Sequence, residues 1–315
     1  TIVSYEWDWN YNKKFNPSGD KSSSQTHAWA KNGTYTIAVR VTDDDGSTDI
    51  ATHTVIVDDA KTTASLTGNE ILNEGQSGTF TAQAISTDPI VSFEWDWNYN
   101  GTFTPSGDTG STQNHTWDDN GIYKIAVRIT DNDGSADVAP FTINVINSDP
   151  TADAGQDQTA DEGEAITFSG SFTDSGNADT HTIVWNFGDG NSASGTLKPT
   201  HRYTDNGSYT VTLTTKDDDG GTSEDTCIVT INNANPIADA GPNQTANEGD
   251  TIVFNCSFTD SGTADTHTIV WNFGDKNSAF GTLTPTHRYA DNGTYSVTLT
   301  IKDDDGGTSS DTCIV

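Results

Sequence analysis

The same ordered set of residues returns four times along this chain, and that repetition constrains the fold more than any other feature. The fullest form is Trp185-Asn-Phe-Gly-Asp-Gly190, His201-Arg-Tyr203, Asp205-Asn-Gly-Ser-Tyr209 and Asp217-Asp-Asp-Gly220. It recurs as Trp271-Asn-Phe-Gly-Asp275, His287-Arg-Tyr289, Asp291-Asn-Gly-Thr-Tyr295 and Asp303-Asp-Asp-Gly306. Looser versions lie upstream at Trp95, His115, Asn120-Gly-Ile-Tyr123 and Asp131-Asn-Asp-Gly134, and at Trp7, His27, Asn32-Gly-Thr-Tyr35 and Asp43-Asp-Asp-Gly46. A tandem array of this period needs each unit to close its own small core. The expected boundaries are 1–58 for copy 1, which lacks its opening strands, then 59–146, 147–232 and 233–315 for copies 2 to 4.

Apolar residues are sparse at 31%, but 8 Trp, 9 Tyr and 12 Phe supply large areas to bury. Ile37–Val41 alternates at period two and reads as a strand, and Ser77–Ala84, Val91–Trp95, Tyr123–Ile129, Phe141–Val145, Thr182–Trp185, Tyr209–Thr214 and Thr226–Ile231 read as strands too. Thr54–Val57 and Ala165–Ser169 are further short strands. Gly, Asn and Asp clusters separate them, and no helical period of useful length occurs. Short strands punctuated in this way predict an all-β sandwich in each copy. The linkers Asn147-Ser-Asp-Pro150 and Asn233-Ala-Asn-Pro236 are short and end in proline, which favours extended geometry before it.

Net charge is −32, from 46 acidic against 14 basic residues. A phosphate backbone needs Lys and Arg, so nucleic acid is excluded as a partner, and bound cations are favoured. No run of 18 apolar residues is present, so no membrane span is expected in this segment. Thr1 aligns with Pro89 of copy 2, Val315 aligns with Val229 of copy 3, and Met is absent. The expectation is a segment of a longer polypeptide.

The ordered Trp-Asn-Phe-Gly-Asp-Gly, His-Arg-Tyr, Asn-Gly-Ser-Tyr-Thr-Val-Thr-Leu and Asp-Asp-Asp-Gly-Gly strings resemble the PKD (polycystic kidney disease) domain family over essentially the whole chain. The resemblance implies tandem immunoglobulin-like, PKD-type β-sandwiches of a bacterial or archaeal surface or secreted protein. It also implies roles as spacers, adhesive stalks or surface-layer parts. Copies 1 and 2 depart from the family pattern, replacing the Gly-Asp-Gly box with Asp-Trp-Asn-Tyr-Asn. Copy 3 carries Asn186, and copy 4 carries Asn272 and Lys276. These changes leave the fold expectation intact and put any ligand role of that box in doubt.

The Asp-x-Gly-x-Tyr strings ending at Tyr123, Tyr209 and Tyr295 read as tyrosine corners, and Trp7, Trp95, Trp185 and Trp271 as core tryptophans. Trp9, Trp97, Trp29 and Trp117 occur only in the first pair of copies and are candidates for a carbohydrate platform. Asp96, Asn98, Asn100 and Asp108 mimic part of a calcium loop. The bidentate glutamate of such a loop is missing, and an ordinary polar turn is the competing reading.

A stronger metal candidate is the acid gathered at one end of each sandwich. Copy 3 contributes Asp149, Asp174, Asp179, Asp217 and Asp219, with Asn147; copy 4 contributes Asp260, Asp265, Asp303 and Asp305, with Asn233 and Asn235. Copy 2 supplies Asp88, Asp131 and Asp133. Two carboxylates about 4 Å apart repel by roughly 4 kcal/mol at an effective dielectric of 20. Three or more therefore call for a cation, and oxygen-only ligands point to Ca²⁺ rather than zinc. Glu74, Glu162 and Glu248 lie at the opposite ends of their copies and could complete a junction site with the next copy. The competing reading is a set of solvated Asp-Gly turns.

Seven Asn-x-Ser/Thr sequons, at Asn32, Asn100, Asn114, Asn206, Asn243, Asn255 and Asn292, are glycosylation candidates if the chain is exported. Cys227 and Cys313 match in position, and Cys256 replaces Gly170. A Cys256–Cys313 bridge would leave Cys227 free, and pairing between chains is the alternative. The histidines repeat in register and look architectural. No catalytic constellation is present, so the chain is read as non-enzymatic. The leading expectation is an extracellular or cell-surface, calcium-stiffened adhesive rod that self-associates into a filament or layer. The alternative is a polysaccharide-binding or spacer region of a secreted hydrolase. High acidity could equally mark adaptation to high salt.

Overall fold

A computed structural model describes all 315 residues, Thr1–Val315. It contains β-strands, turns and bends and no helix, so no helix is long and apolar enough to cross a membrane. The chain divides into two compact units, Thr1–Ile146 and Asn147–Val315.

In the first unit, residues 1–58 form one antiparallel sheet of three strands, Ile2–Asp8, Gly33–Asp43 and Thr48–Val57. Residues 59–146 close a full sandwich. One sheet runs in the order Ile71–Asn73, Ala136–Ile146, Gly121–Asp131, Ile90–Asp96. The other runs Thr63–Gly68, Ser77–Ile85, Thr112–Thr116. Phe80, Trp95, Ile125, Ile129 and Ile143 fill the space between them and are fully buried. Ile71–Asn73 pairs parallel to Ala136–Ile146, and the other pairs in these sheets are antiparallel.

The second unit repeats the sandwich plan twice. In residues 147–232 the main sheet runs Gln158–Asp161, Thr222–Asn232, Gly207–Asp217, His181–Asn186, Ser192–Ser194. In residues 233–315 it runs Ser278–Phe280, His267–Asn272, Ser296–Asp303, Thr308–Ile314. Trp185 and Trp271 are fully buried, and each indole donates to a main-chain carbonyl 3.1 Å away, of Thr196 and Thr282. Tyr123, Tyr209 and Tyr295 donate at 2.9 Å to the carbonyls of Asp119, Asp205 and Asp291, which makes them the tyrosine corners expected.

Strand alternation also places the acids. Along Gly207–Asp217 the inward row is Val211, Leu213, Thr215 and then Asp217, which is 3% exposed. The row Val297, Leu299, Ile301, Asp303 repeats it, and so does Ile125, Val127, Ile129, Asp131. Period two thus carries a carboxylate into the end of each core. The predicted strands are present, most of them longer than expected, except that Ala165–Ser169 is a strand only over Ala165–Thr167. Lys276 and Lys13 have φ of 76°, in the left-handed region, where the matching positions hold Gly190 and Gly101. The turn geometry survives loss of the glycine at the cost of local backbone strain.

Two expectations fail. All three cysteines are free thiols, so Cys256 and Cys313 are not bridged, although both belong to the copy 4 core. The platform candidates of copy 2 pack with the core: Trp117 is 6% exposed, and the half-buried Trp97 stacks on Trp95 at 5.1 Å and on His115 at 4.4 Å. Their copy 3 counterparts are Phe187 and Tyr203, both buried, with Phe187 stacked on His201 at 4.2 Å. Trp9 and Trp29 make the same contacts in residues 1–58, with His27 4.6 Å from Trp9. In the calcium-like loop of copy 2, several of the candidate oxygens make hydrogen bonds within the turn. Asp96 accepts the main-chain amides of Asn98 and Thr104, Asn100 accepts that of Thr102, and Asp108 accepts from the Trp97 indole and Ser106.

Candidate metal centre

In copy 3 three chain segments deliver oxygens to the sheet end where the Gly207–Asp217 strand finishes. His181 opens the neighbouring strand and pairs with Asp217 in register. Asp174 follows the short strand Ser171–Thr173, and Asp179 lies between the two. The carboxylates of Asp174, Asp179 and Asp217 lie within 4.8 Å of one another.

Their surroundings divide the labour. Asp217 accepts the main-chain amides of Gly220 and Gly221 at 2.7 Å through Oδ1, and the Asn147 side-chain amide at 3.0 Å through Oδ2. Burial works against its charge, but these hydrogen bonds outweigh it and hold Asp217 below the usual carboxylate range. Asp174 Oδ2 lies 2.7 Å from His181 Nε2, which fixes its orientation. Asp179 Oδ2 is buried with no partner, and so is Asn147 Oδ1. Burial, then the charges of Asp174, Asp219, Asp218 and Asp217, push Asp179 above its ordinary value. Asp149 and Asp219 are exposed at the rim. A Cβ at Gly221 would sit 2.2 Å from Asp217 Oδ2 and 2.7 Å from Asp149 Oδ1, so only glycine lets these oxygens close in.

Copy 4 reproduces the arrangement. Asp260 Oδ2 lies 2.8 Å from His267, and Asp303 accepts Gly307 at 2.7 Å and Asn233 at 3.2 Å. Both oxygens of Asp265 and the Asn233 Oδ1 are buried without partners. Burial, then Asp260, Asp305, Asp303 and Asp304, raise Asp265. Of the glutamates flagged in the sequence, Glu162 is brought into this group, within 4.8 Å of Asp260 and Asp265. Glu248 is exposed. In copy 2 the carboxylates of Asp59, Asp88 and Asp133 lie within the same distance. Asp131 is satisfied instead by Thr62 and Ser135.

Sequence reasoning missed the histidines as holders of Asp174 and Asp260, although the seven-residue Asp–His spacing repeats. It also missed Asp59 and the Gly-Gly pairs that let the oxygens close in. Six of the seven sequon asparagines are exposed, while Asn206 is half-buried.

The chain belongs to the PKD domain family, whose sequence pattern matches residues 59–145, 147–231 and 233–315. Among curated relatives it is 37% identical over 87 residues to a microbial collagenase of Vibrio alginolyticus, and 29% identical over 126 residues to collagenase ColA of Clostridium perfringens. These stretches cover 28% and 39% of the chain, and in each case 11% of the relative's length. Solved structures with a similar trace include a tetra-tandem repeat from the extending region of a large adhesion protein, at 14% identity and a TM-score of 0.43. That match covers 90% of this chain and 81% of that one. The three N-terminal domains of the outer capsid protein Hoc of bacteriophage RB49 match at 13% identity and a TM-score of 0.27, covering 80% of this chain and 98% of that one. Scores this low carry no argument, and the sandwich assignment rests on the chain's own sheets and family.

Proposed function

We propose that the chain is a non-catalytic spacer region of a secreted hydrolase, working outside the cell with Ca²⁺ held at the sheet ends of copies 3 and 4. The observation that carries the calcium reading is the set of buried oxygens without partners, Asp179 Oδ2 and Asn147 Oδ1 in copy 3, and both Asp265 oxygens and Asn233 Oδ1 in copy 4. A buried carboxylate or amide oxygen facing other acids is costly unless something positive meets it. The donors are all oxygens, which suits a hard cation taking about six to eight of them. The only nearby imidazoles already face Asp174 and Asp260, so zinc chemistry has no support. Asp174, Asp179, Asp217 and Asn147 would hold the ion in copy 3, and Asp260, Asp265, Asp303 and Asn233 in copy 4. When bound, the ion supplies positive charge and oxygen coordination, and nothing redox or nucleophilic.

The hydrolase setting rests on the collagenase relatives, and it places the spacer reading ahead of the adhesive filament. The platform candidates of copy 2 pack against its core, with Trp117 buried and Trp97 half-buried, so sugar binding is not part of the proposal. The test is thermal unfolding after chelation, then with millimolar Ca²⁺ or Mg²⁺. A ligand at about 100 times its dissociation constant adds about 2.7 kcal/mol per site. A Ca²⁺-specific rise in Tm is expected. No shift, or an equal one with Mg²⁺, would overturn the calcium reading.

A further inference from the structure

We propose that Glu162 of copy 3 is a ligand of the cation site of copy 4, so that a single Ca²⁺ ties the two copies together. The inference rests on the calcium reading above and deepens it. Glu162 is 1% exposed, yet it lies in the turn after the edge strand Gln158–Asp161 at the far end of copy 3. Its Oε1 accepts the main-chain amide of Ala234, in the linker, at 2.6 Å. Its Oε2 is buried with no partner. The carboxylate points across the joint: a Cβ at Gly262 would sit 2.7 Å from Glu162 Oε1 and 2.5 Å from Asp265 Oδ2. Glycine at 262 therefore leaves room for two acids from different copies to converge.

The joint is otherwise closely fitted. The Ala264 amide donates to the Thr204 carbonyl at 3.2 Å, and a Cβ at Gly163 would sit 2.8 Å from the Ser261 carbonyl oxygen. No Lys or Arg forms an ion pair with Glu162, Asp260 or Asp265. Burial, then Asp265, Asp260 and Asp305, push the Glu162 carboxyl up, although the Ala234 hydrogen bond opposes them. Three acids packed at a domain joint, with three of their oxygens orphaned, hold the copies apart unless a cation is shared. The cation turns the same groups into a clamp. Copy 3's own set of Asp174, Asp179, Asp217 and Asn147 does not include Glu162, so the two sites can be separated by mutation.

The experiment is calorimetric Ca²⁺ titration of the full chain, as wild type, Glu162→Gln, Asp265→Asn and the double variant, with Glu248→Gln as control. Circular dichroism verifies folding of each. Glu162→Gln is expected to weaken one class of site by about 10-fold or more, leaving the others unchanged. Asp265→Asn should weaken the same class, and the double variant should lose no more sites than either alone. Spin labels on copies 3 and 4 should give a distance distribution that narrows with Ca²⁺ in the wild type and not in Glu162→Gln. Wild-type-like affinities and narrowing in Glu162→Gln would overturn the bridge while leaving the calcium reading intact. Losses from the two single variants that fall on different sites would overturn it too. Absence of Ca²⁺ binding by the wild type would overturn the calcium reading and the bridge together. If Glu162→Gln does not fold, Glu162→Asp takes its place, since a shorter carboxylate at a bridging position also weakens that one class.

Discussion

Trp97 shows what a single residue's setting decides. It follows the end of the strand Ile90–Asp96 by one position, so strand alternation no longer governs it. Its ring lies between Trp95 and His115, and its indole donates to Asp108 at 2.7 Å. Phe187 and Phe273 fill the same place in copies 3 and 4, each stacked on a histidine at 4.2 Å. A tryptophan kept for sugar would leave the fold unharmed when removed. Trp97→Ala is instead expected to destabilise copy 2 by about 2–3 kcal/mol, somewhat less than a fully buried aromatic loses, because the ring is half-buried. Chemical denaturation measures it, and a change within about 0.5 kcal/mol would return the residue to the surface role.

The acidic turn is the element on which the site depends, and in copy 2 its acids crowd one another. The neighbouring Asp131 carboxylate, then partial desolvation and the charges of Asp59 and Asp88, push the Asp133 carboxyl up to about 6. The unfolded value is near 3.9. The folded state therefore binds the proton more tightly, and that contribution to stability is complete below the unfolded value and lost as pH rises through about 6. Asp133→Asn carries no such charge at any pH. In chelated protein its Tm should exceed the wild type most above pH 6, with the gap closing towards pH 4; a gap that is constant or widens on acidification refutes the repulsion. The sequence made much of this visible. Alternation revealed the long strands, and repetition put the acids at matching strand ends. It did not reveal strands such as Ser192–Ser194 or Thr200–Arg202, which are three polar-rich residues long and have no period to read. Nor could it tell which oxygens a turn consumes. Asp217 spends its oxygens on Gly220, Gly221 and Asn147, whereas Asp179 leaves one orphaned, and only the folded turn distinguishes them.

For the molecule as a whole, a charge of −32 acts in two ways that calcium and salt separate. Many of the carboxylates are exposed and repel one another through solvent, where the Debye length is about 10 Å at 0.1 M salt. That repulsion opposes the compact state, and any salt relieves it smoothly. The buried groups around Asp179 and Asp265 are screened far less, because their oxygens face one another away from water. Adding NaCl to chelated protein should therefore raise Tm gradually. MgCl₂ matched in ionic strength should do nearly the same. Ca²⁺ added at high NaCl should still give a further, saturating rise, with a midpoint set by affinity rather than ionic strength. Melting curves across a grid of NaCl and CaCl₂ separate the two contributions. A calcium effect that vanishes once salt is high would mean that the whole charge is adaptation to a saline medium and that the strand-end acids are solvated turns. A calcium effect that persists would mean that four copies of one acidic turn serve two ends, solubility at the rim and cation binding at the core.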